Sequence, residues 1–198
     1  LTLLETDAVE YDYAAAAARE PAVIAGNLPY QITGLLLRKV TDVPGGLLRA
    51  LLMVQAEVAD RVCAGPGQRE RAALSALLQA RVEPRVILRL APTALAPPPK
   101  VRSAVLELVP RAEPLFADLE ARAFDDAVKA AFVGRRKTIR NSLIAASRQP
   151  AARVEGLLAA AGIDPGKRAQ QLENAALVSL ARAAAADSNW SWQAPGRR

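Results

Sequence analysis

Four consecutive residues, Asn27-Leu28-Pro29-Tyr30, carry the most specific chemical possibility in this 198-residue chain. They follow Ala22-Val23-Ile24-Ala25 and Gly26, a short apolar run and its stop. In open α/β sheets, ligands gather at the carboxyl ends of strands, so this turn stands where a reactive site belongs. The Asn27 side-chain oxygen and the Pro29 backbone carbonyl can each accept a hydrogen bond from an exocyclic amine. Proline fixes the backbone there and adds no competing N–H donor. Tyr30 offers a ring face on which a base can stack, a contact worth about 1–3 kcal/mol per base. An aromatic amine is a poor nucleophile because its lone pair is delocalised into the ring. Two acceptors holding both protons favour a pyramidal nitrogen, whose lone pair then needs little beyond in-line positioning against an electrophile. The alternative is a Pro-Tyr turn that merely ends a strand.

A second feature is electrostatic. Lys129, Arg135, Arg136, Lys137, Arg140, Arg148 and Arg153 lie between Ala127 and Val154, where no acidic residue occurs. Residues 1–110 are nearly neutral, with twelve Lys or Arg against eleven Asp or Glu, so this block accounts for the net charge of +6. A solvated helix face normally mixes both signs, and a one-signed block points to a polyanion. A basic surface that only aids solubility is the competing reading.

Composition removes much other chemistry. Histidine is absent, which excludes Ser-His and Cys-His nucleophile pairs and most zinc sites; no metal site is expected. The one cysteine, Cys63, cannot close an internal disulfide, and it suits a reducing compartment. No run reaches the roughly 18 apolar residues of a membrane span, so a cytoplasmic, membrane-free protein is expected. The chain opens at Leu1 without an initiator methionine, as a fragment or processed piece would.

The elements that must position these groups read as follows. Leu1–Glu5 resembles a buried strand ending near Asp7, and Ala14–Glu20 a short helix. Ala22–Ala25 is a strand, and Ile32, Leu35, Leu36 and Val40 recur at helical spacing after the turn. Leu47–Val54 reads as strand, Glu57–Ala64 as helix, Gly65-Pro66-Gly67 as loop and Leu74–Arg81 as helix. Arg85–Leu90 and Val101–Val109 are strand-like, joined through Pro97-Pro98-Pro99 and therefore antiparallel to each other. Short strands alternating with helices indicate an α/β domain with a mainly parallel sheet. From about Arg111 the pattern is helical throughout, with Phe116, Leu119, Phe124, Val128 and Phe132 leading the series. Domains are thus expected at 1–111 and 112–186, with 187–198, which carries both tryptophans but no periodic pattern, a disordered tail.

The tetrapeptide resembles the catalytic motif of the adenine dimethyltransferases that modify small-subunit ribosomal RNA. Further segments resemble that family in the right order from residue 1 to about 183. Gln55-Ala-Glu-Val-Ala-Asp-Arg61 with Gly65-Pro-Gly67 is similar to its post-strand segment. Pro97-Pro-Pro-Lys-Val-Arg-Ser-Ala-Val105 is similar to its proline-rich signature. Phe132-Val-Gly-Arg-Arg-Lys-Thr-Ile-Arg-Asn-Ser-Leu143 is similar to its basic signature, and Gly162-Ile-Asp-Pro165 with Arg168-Ala169 to its last helical region. The resemblance implies a Rossmann-like, S-adenosylmethionine-dependent methyltransferase sheet followed by a small all-α RNA-binding domain. Asn27, Pro29 and Tyr30 would then be catalytic, with Asp7 and Asn27 on the cofactor side. Lys100, Arg135, Arg136, Lys137 and Arg140 would contact RNA phosphates, which position a substrate without specifying bases. Thr138 or Asn141 could instead cap a helix. The implied partner is small-subunit ribosomal RNA within the pre-ribosomal small subunit, and the complete enzyme would be a monomer.

Four departures from the family pattern stand out. Leu95 stands where a phenylalanine usually helps sandwich the target adenine, and a leucine gives up π-stacking. Arg102 replaces an acidic residue, Arg71-Ala72 replaces Tyr-Gly, and Gln170 stands where glutamate is common. The family's glycine-rich cofactor loop would lie before Leu1, and no Gly-x-Gly-x-Gly occurs in the chain. A truncated enzyme, inactive and binding S-adenosylmethionine weakly by itself, is the resulting expectation. The alternatives are a catalytically inactive ribosome-assembly factor, a large-subunit methyltransferase conferring macrolide resistance, and a generic basic nucleic-acid binder. A DNA adenine methyltransferase is disfavoured, since those usually show Pro-Pro-Tyr after the Asn or Asp.

Overall fold

The computed structural model describes residues 2–43, 45–117 and 120–192. Two compact units emerge: residues 1–63 with 81–112, and residues 64–80 with 113–198.

The first unit is built on a four-stranded sheet of order β1-β2-β4-β3, with β1 at Ala22–Asn27, β2 at Leu47–Gln55, β3 at Val82–Leu90 and β4 at Ser103–Pro110. β1 pairs parallel with β2, while β4 runs antiparallel to both β2 and β3. The mainly parallel sheet expected from the sequence is therefore a mixed one. Alternation of strands and helices does not encode strand order, and β4 enters between β2 and β3 instead of extending the parallel edge. The central strands supply the buried face through Ala50, Leu52 and Val54 on β2 and Ala104, Leu106 and Leu108 on β4. Full burial of each leucine or valine contributes about 1.5–3 kcal/mol. β3 contains Pro84, which an edge strand tolerates because its missing N–H costs no ladder bond on the open side.

One charge sits inside this unit. Glu107 of β4 is almost fully buried, and its carboxylate takes Arg49 of β2 on one oxygen at 3.2 Å and Arg85 of β3 on the other. Both arginines are register partners or neighbours of Glu107, so the triad ties three strands together. A buried carboxylate is tolerable only with such pairing.

Helix α1 (Tyr13–Ala17) is capped by Asp12, whose side chain accepts from Ala15 N–H at 2.8 Å. It leans on Gly46, whose φ is +70° and where a Cβ would come within 2.3 Å of the Ala17 carbonyl oxygen. Only glycine fits that approach. Helix α2 (Thr33–Thr41) connects β1 to β2 and buries Leu36, Leu37 and Val40; Leu35, expected on the same face, is exposed. Helix α3 (Ala56–Cys63) follows β2 without a break and buries Ala59 and Val62. The expected first strand does not form. Leu3 and Leu4 are exposed, because an apolar run becomes a strand only where a neighbouring ladder accepts it, and none is available among the described residues. Leu1 lies outside those residues.

The second unit is helical: α4 (Ala73–Gln79), α5 (Ala121–Ala131), α6 (Ile139–Ser147), α7 (Ala151–Ala160) and α8 (Asn174–Ala186). Helix α5 packs on α4, α6 and α8, and α7 on α6 and α8. Phe124, Val128, Ile139, Leu143, Leu158 and Leu177 are fully buried, and Phe116 stacks on Phe124 with centroids 4.5 Å apart. Leu119, part of the expected periodic series, lies outside the described residues. The stretch beginning at Asp187 is not free: Trp190 and Trp192 pack against the helical core, edge to face at 5.2 Å, and Arg153 pairs with the Asp187 carboxylate at 2.8 and 2.9 Å. Two indoles bring enough apolar area to dock without any helical period. Residues 193–198, the rest of the expected tail, lie outside the described residues.

Segment 64–80 joins this unit through Arg71, one of the departures from the family pattern. Its guanidinium is buried and donates to Ala64 O (3.1 Å), Gln79 Oε1 (3.0 Å), Leu172 O (3.3 Å) and Asn174 Oδ1 (2.6 Å), while Nε has no partner among the described residues. Burial pushes its pKa down from the usual arginine value, and the Glu173 charge works in the opposite direction.

Candidate functional site

The Asn27–Tyr30 turn leaves β1 at the end of the sheet where β2 finishes at Gln55. β4 starts at the same end, Ser103 pairing with both Gln55 of β2 and Leu90 of β3. The connection from β3 to β4, residues 91–102, therefore returns to this end and carries Leu95, Pro97-Pro98-Pro99 and Lys100. The Arg102 carbonyl accepts from Ala56 N–H at 2.9 Å, fastening the connection to the start of α3.

Within the turn, the side chains divide. Leu28 is buried, and its N–H donates to Met53 O at 3.0 Å, so it anchors the turn to β2. Asn27, Pro29 and Tyr30 are exposed, Tyr30 at 41%. The Pro29 carbonyl is already engaged: it accepts from Ile32 N–H at 3.2 Å and from Thr33 Oγ1 at 2.9 Å, starting α2. A carbonyl oxygen has two lone pairs, and both are used. The Asn27 carboxamide and the Leu28 carbonyl have no such partner among the described residues. The two open acceptors are thus adjacent, one from a side chain and one from the backbone of the residue between Asn27 and Pro29. Sequence reasoning passed over Leu28 because its side chain belongs to the core; the saturation of Pro29 was visible only as a threonine four residues on.

Asp7 is exposed in a turn of the same unit. Its Oδ1 accepts from Val9 N–H at 2.8 Å, and its backbone oxygen accepts from Glu10 and Tyr11 N–H at 3.0 Å. One carboxylate oxygen is thereby spent on the turn, as in an ordinary Asx turn, and the other has no hydrogen bond among the described residues, which leaves an acceptor open to an amine.

The basic segment lies in the helical unit, between α5 and α6, whereas Lys100 belongs to the sheet unit. Thr138 caps α6, its Oγ1 accepting from Asn141 N–H at 3.3 Å. Arg140 pairs with Glu155 at 2.6 Å, and Arg135 Nη2 donates to the Arg69 carbonyl at 2.9 Å. Arg136 and Lys137 are exposed, and their side chains make no hydrogen bond or ion pair among the described residues. Lys129 and Arg153 pair with Asp125 and Asp187. Three cations of the one-signed block therefore find carboxylates that lie outside it in sequence. Among the described residues no cluster of three or more His, Cys, Asp or Glu could hold a metal ion, and no helix is long and apolar enough to cross a membrane.

Two solved structures share the fold. A dimethyladenosine transferase from Plasmodium falciparum superposes with a TM-score of 0.73 at 20% identity, covering 89% of this chain and 70% of that one. The 23S rRNA methyltransferase ErmE gives 0.63 at 24% identity over 91% and 70%. The fold is that of the Rossmann-like methyltransferases, carrying a helical addition. The family profile for ribosomal RNA adenine dimethylase matches residues 1–186. Among curated relatives, ribosomal RNA small subunit methyltransferase A of Anaeromyxobacter dehalogenans (strain 2CP-C) is 42% identical over 193 residues, 92% of this chain and 68% of the relative. The enzyme of the same name from Xanthomonas campestris pv. campestris (strain 8004) is 39% identical over 181 residues, 91% and 67%. The chain belongs to the ribosomal RNA adenine dimethylase family.

Proposed function

We propose that this chain carries the target-base turn and the RNA-binding helices of an S-adenosylmethionine-dependent enzyme that dimethylates the exocyclic amine of adenosines in small-subunit ribosomal RNA, in the cytoplasm, during small-subunit biogenesis. The observation that carries the reading is the pair of open acceptors, Asn27 Oδ1 and Leu28 O, on an exposed turn at the carboxyl end of β1. A target amine placed there donates one proton to each acceptor. The nitrogen is held pyramidal, and its lone pair points away from the turn. Tyr30 stacks on the base and keeps the ring from rotating, so the chain contributes orientation and desolvation, with no acid–base group required. Pro29 holds the turn's shape and starts α2. It supports the acceptors without being one.

The free oxygen of Asp7 and the exposed Asn27 face would hold the adenine end of S-adenosylmethionine, which when bound supplies an electrophilic methyl group on a sulfonium sulfur. Leu95, half-buried in the β3–β4 connection, offers an apolar contact without a ring quadrupole, so the base depends more heavily on Tyr30. Arg136 and Lys137 meet RNA phosphates and set where the strand lies.

The test is a chimaera in which this chain replaces the matching segment of the Anaeromyxobacter relative, supplied with S-adenosylmethionine and unmodified ribosomal subunits. Dimethyladenosine formed in small-subunit RNA is the expected product. Transfer only to large-subunit RNA would move the chain to the other branch of rRNA methyltransferases. Salt-dependent binding without any methyl transfer would make it an assembly factor.

A further inference from the structure

Three loops of the helical unit that are far apart in sequence are joined by hydrogen bonds. The Arg135 side chain donates to Arg69 O at 2.9 Å, Gly67 N–H donates to Gln170 O at 2.8 Å, and Ile139 N–H donates to Lys167 O at 2.6 Å. Residues 65–70, 134–138 and 164–170 form one connected surface, with six basic residues against two acidic ones. Asp164 is partly spent on its own turn, accepting from Gly166 N–H at 2.8 Å, which leaves Glu70 as the one carboxylate of these loops with no hydrogen bond among the described residues. Arg69, Arg136, Lys137 and Lys167 are all exposed, and none of their charged side-chain groups has a hydrogen bond or ion pair among the described residues. Elsewhere in the unit Lys129, Arg140, Arg153 and Arg182 are each paired with a carboxylate.

Four unpaired side-chain cations on three loops exceed the charge of one compact anion. A polymer with a repeating charge can meet all of them, and the hydrogen bonds between the loops fix the spacing before it arrives, which lowers the ordering cost of binding. We propose that Arg69 and Lys167 join Arg136 and Lys137 in a single RNA-phosphate surface. Arg135 is its positioning residue, holding the 65–70 loop through the Arg69 carbonyl. This rests on the RNA-binding reading above and extends it to two loops outside the basic signature.

The experiment measures affinity of the chain for a fluorescent RNA hairpin across potassium chloride concentrations. Arg69→Gln with Lys167→Gln is expected to lower the salt slope by about 2, and Arg136→Gln with Lys137→Gln to lower it similarly. Arg122→Gln is the control: it lies at the opposite end of α5, about 14 Å along the helix from its carboxyl end, and should change the slope little. Arg135→Ala should weaken binding less in the Arg69→Gln background than alone, the coupling expected of a residue that acts through the 65–70 loop. An unchanged slope for Arg69→Gln/Lys167→Gln beside a reduced one for Arg136→Gln/Lys137→Gln would overturn the proposal and leave the RNA reading standing. An equal loss from Arg122→Gln would reduce it to bulk charge. Absence of salt-dependent binding by the unsubstituted chain would overturn both.

Discussion

The turn after β1 and the loop after α5 both place polar groups in solvent, but they do so by opposite means. In the turn, one buried leucine fixes the backbone and the adjoining acceptors are left unspent; in the loop, cations are abundant and the fold spends several of them. Pro29 O is consumed by α2, and Arg140 is consumed by Glu155. What remains, Asn27 with Leu28 O in one unit and Arg136 with Lys137 in the other, is smaller than the motif in each case. A site is therefore defined less by which groups are present than by which ones local structure has not already satisfied.

The largest expected effect tests a group that is spent entirely. Arg71→Ala removes a buried donor that serves four acceptors and leaves a cavity, and we expect a loss of about 3 kcal/mol in denaturant unfolding of the helical unit. A loss under about 1 kcal/mol would mean that water replaces the guanidinium. In the turn, Tyr30→Ala should raise the KM for RNA by about 30-fold in the chimaera, equivalent to about 2 kcal/mol of stacking, with the fold unchanged by circular dichroism. Thr33→Val sharpens the contrast between the two carbonyls. It should cost about 1 kcal/mol of stability by removing a donor to Pro29 O while leaving kcat unchanged; a marked change in kcat would mean that Pro29 O touches the substrate.

The smallest effect concerns a surface pair. Hydrogen bonds from Arg182 first, and from Ala117 N–H second, pull the Glu120 carboxyl down to about 2. A depressed carboxylate contributes stability that is present above its unfolded value near 4.5 and is lost as pH falls through the folded value. Carbon-detected NMR should therefore find Glu120 titrating near 2, and Arg182→Ala should return it towards 4.5. A wild-type midpoint already near 4.5 would show that the pair is not formed in solution.

Much of this was legible in the sequence. The strand ahead of Asn27, the helix after it and the antiparallel pair around the proline connection each follow from local apolar patterning, which is what those elements respond to. The order β1-β2-β4-β3 was not legible, since pairing depends on contacts between distant residues. Leu1–Glu5 shows the same limit from the other side, where an apolar run without a ladder stays exposed. The one-signed charge block looked wholly free because Asp125, Glu155 and Asp187 lie outside it in sequence although they are beside it in space. Arg71 read only as a departure from a Tyr-Gly pair; the convergence of residues 64, 79, 172 and 174 shows what the guanidinium holds.

The central claim, that Asn27 and the Leu28 carbonyl orient an aromatic amine for methyl transfer, is tested most directly by single-turnover kinetics of the chimaera carrying Asn27→Ala. Loss of one of the two acceptors should lower the methyl-transfer rate by about 10²-fold or more while RNA affinity and its salt slope stay unchanged. A variant that transfers methyl groups at the wild-type rate would contradict it.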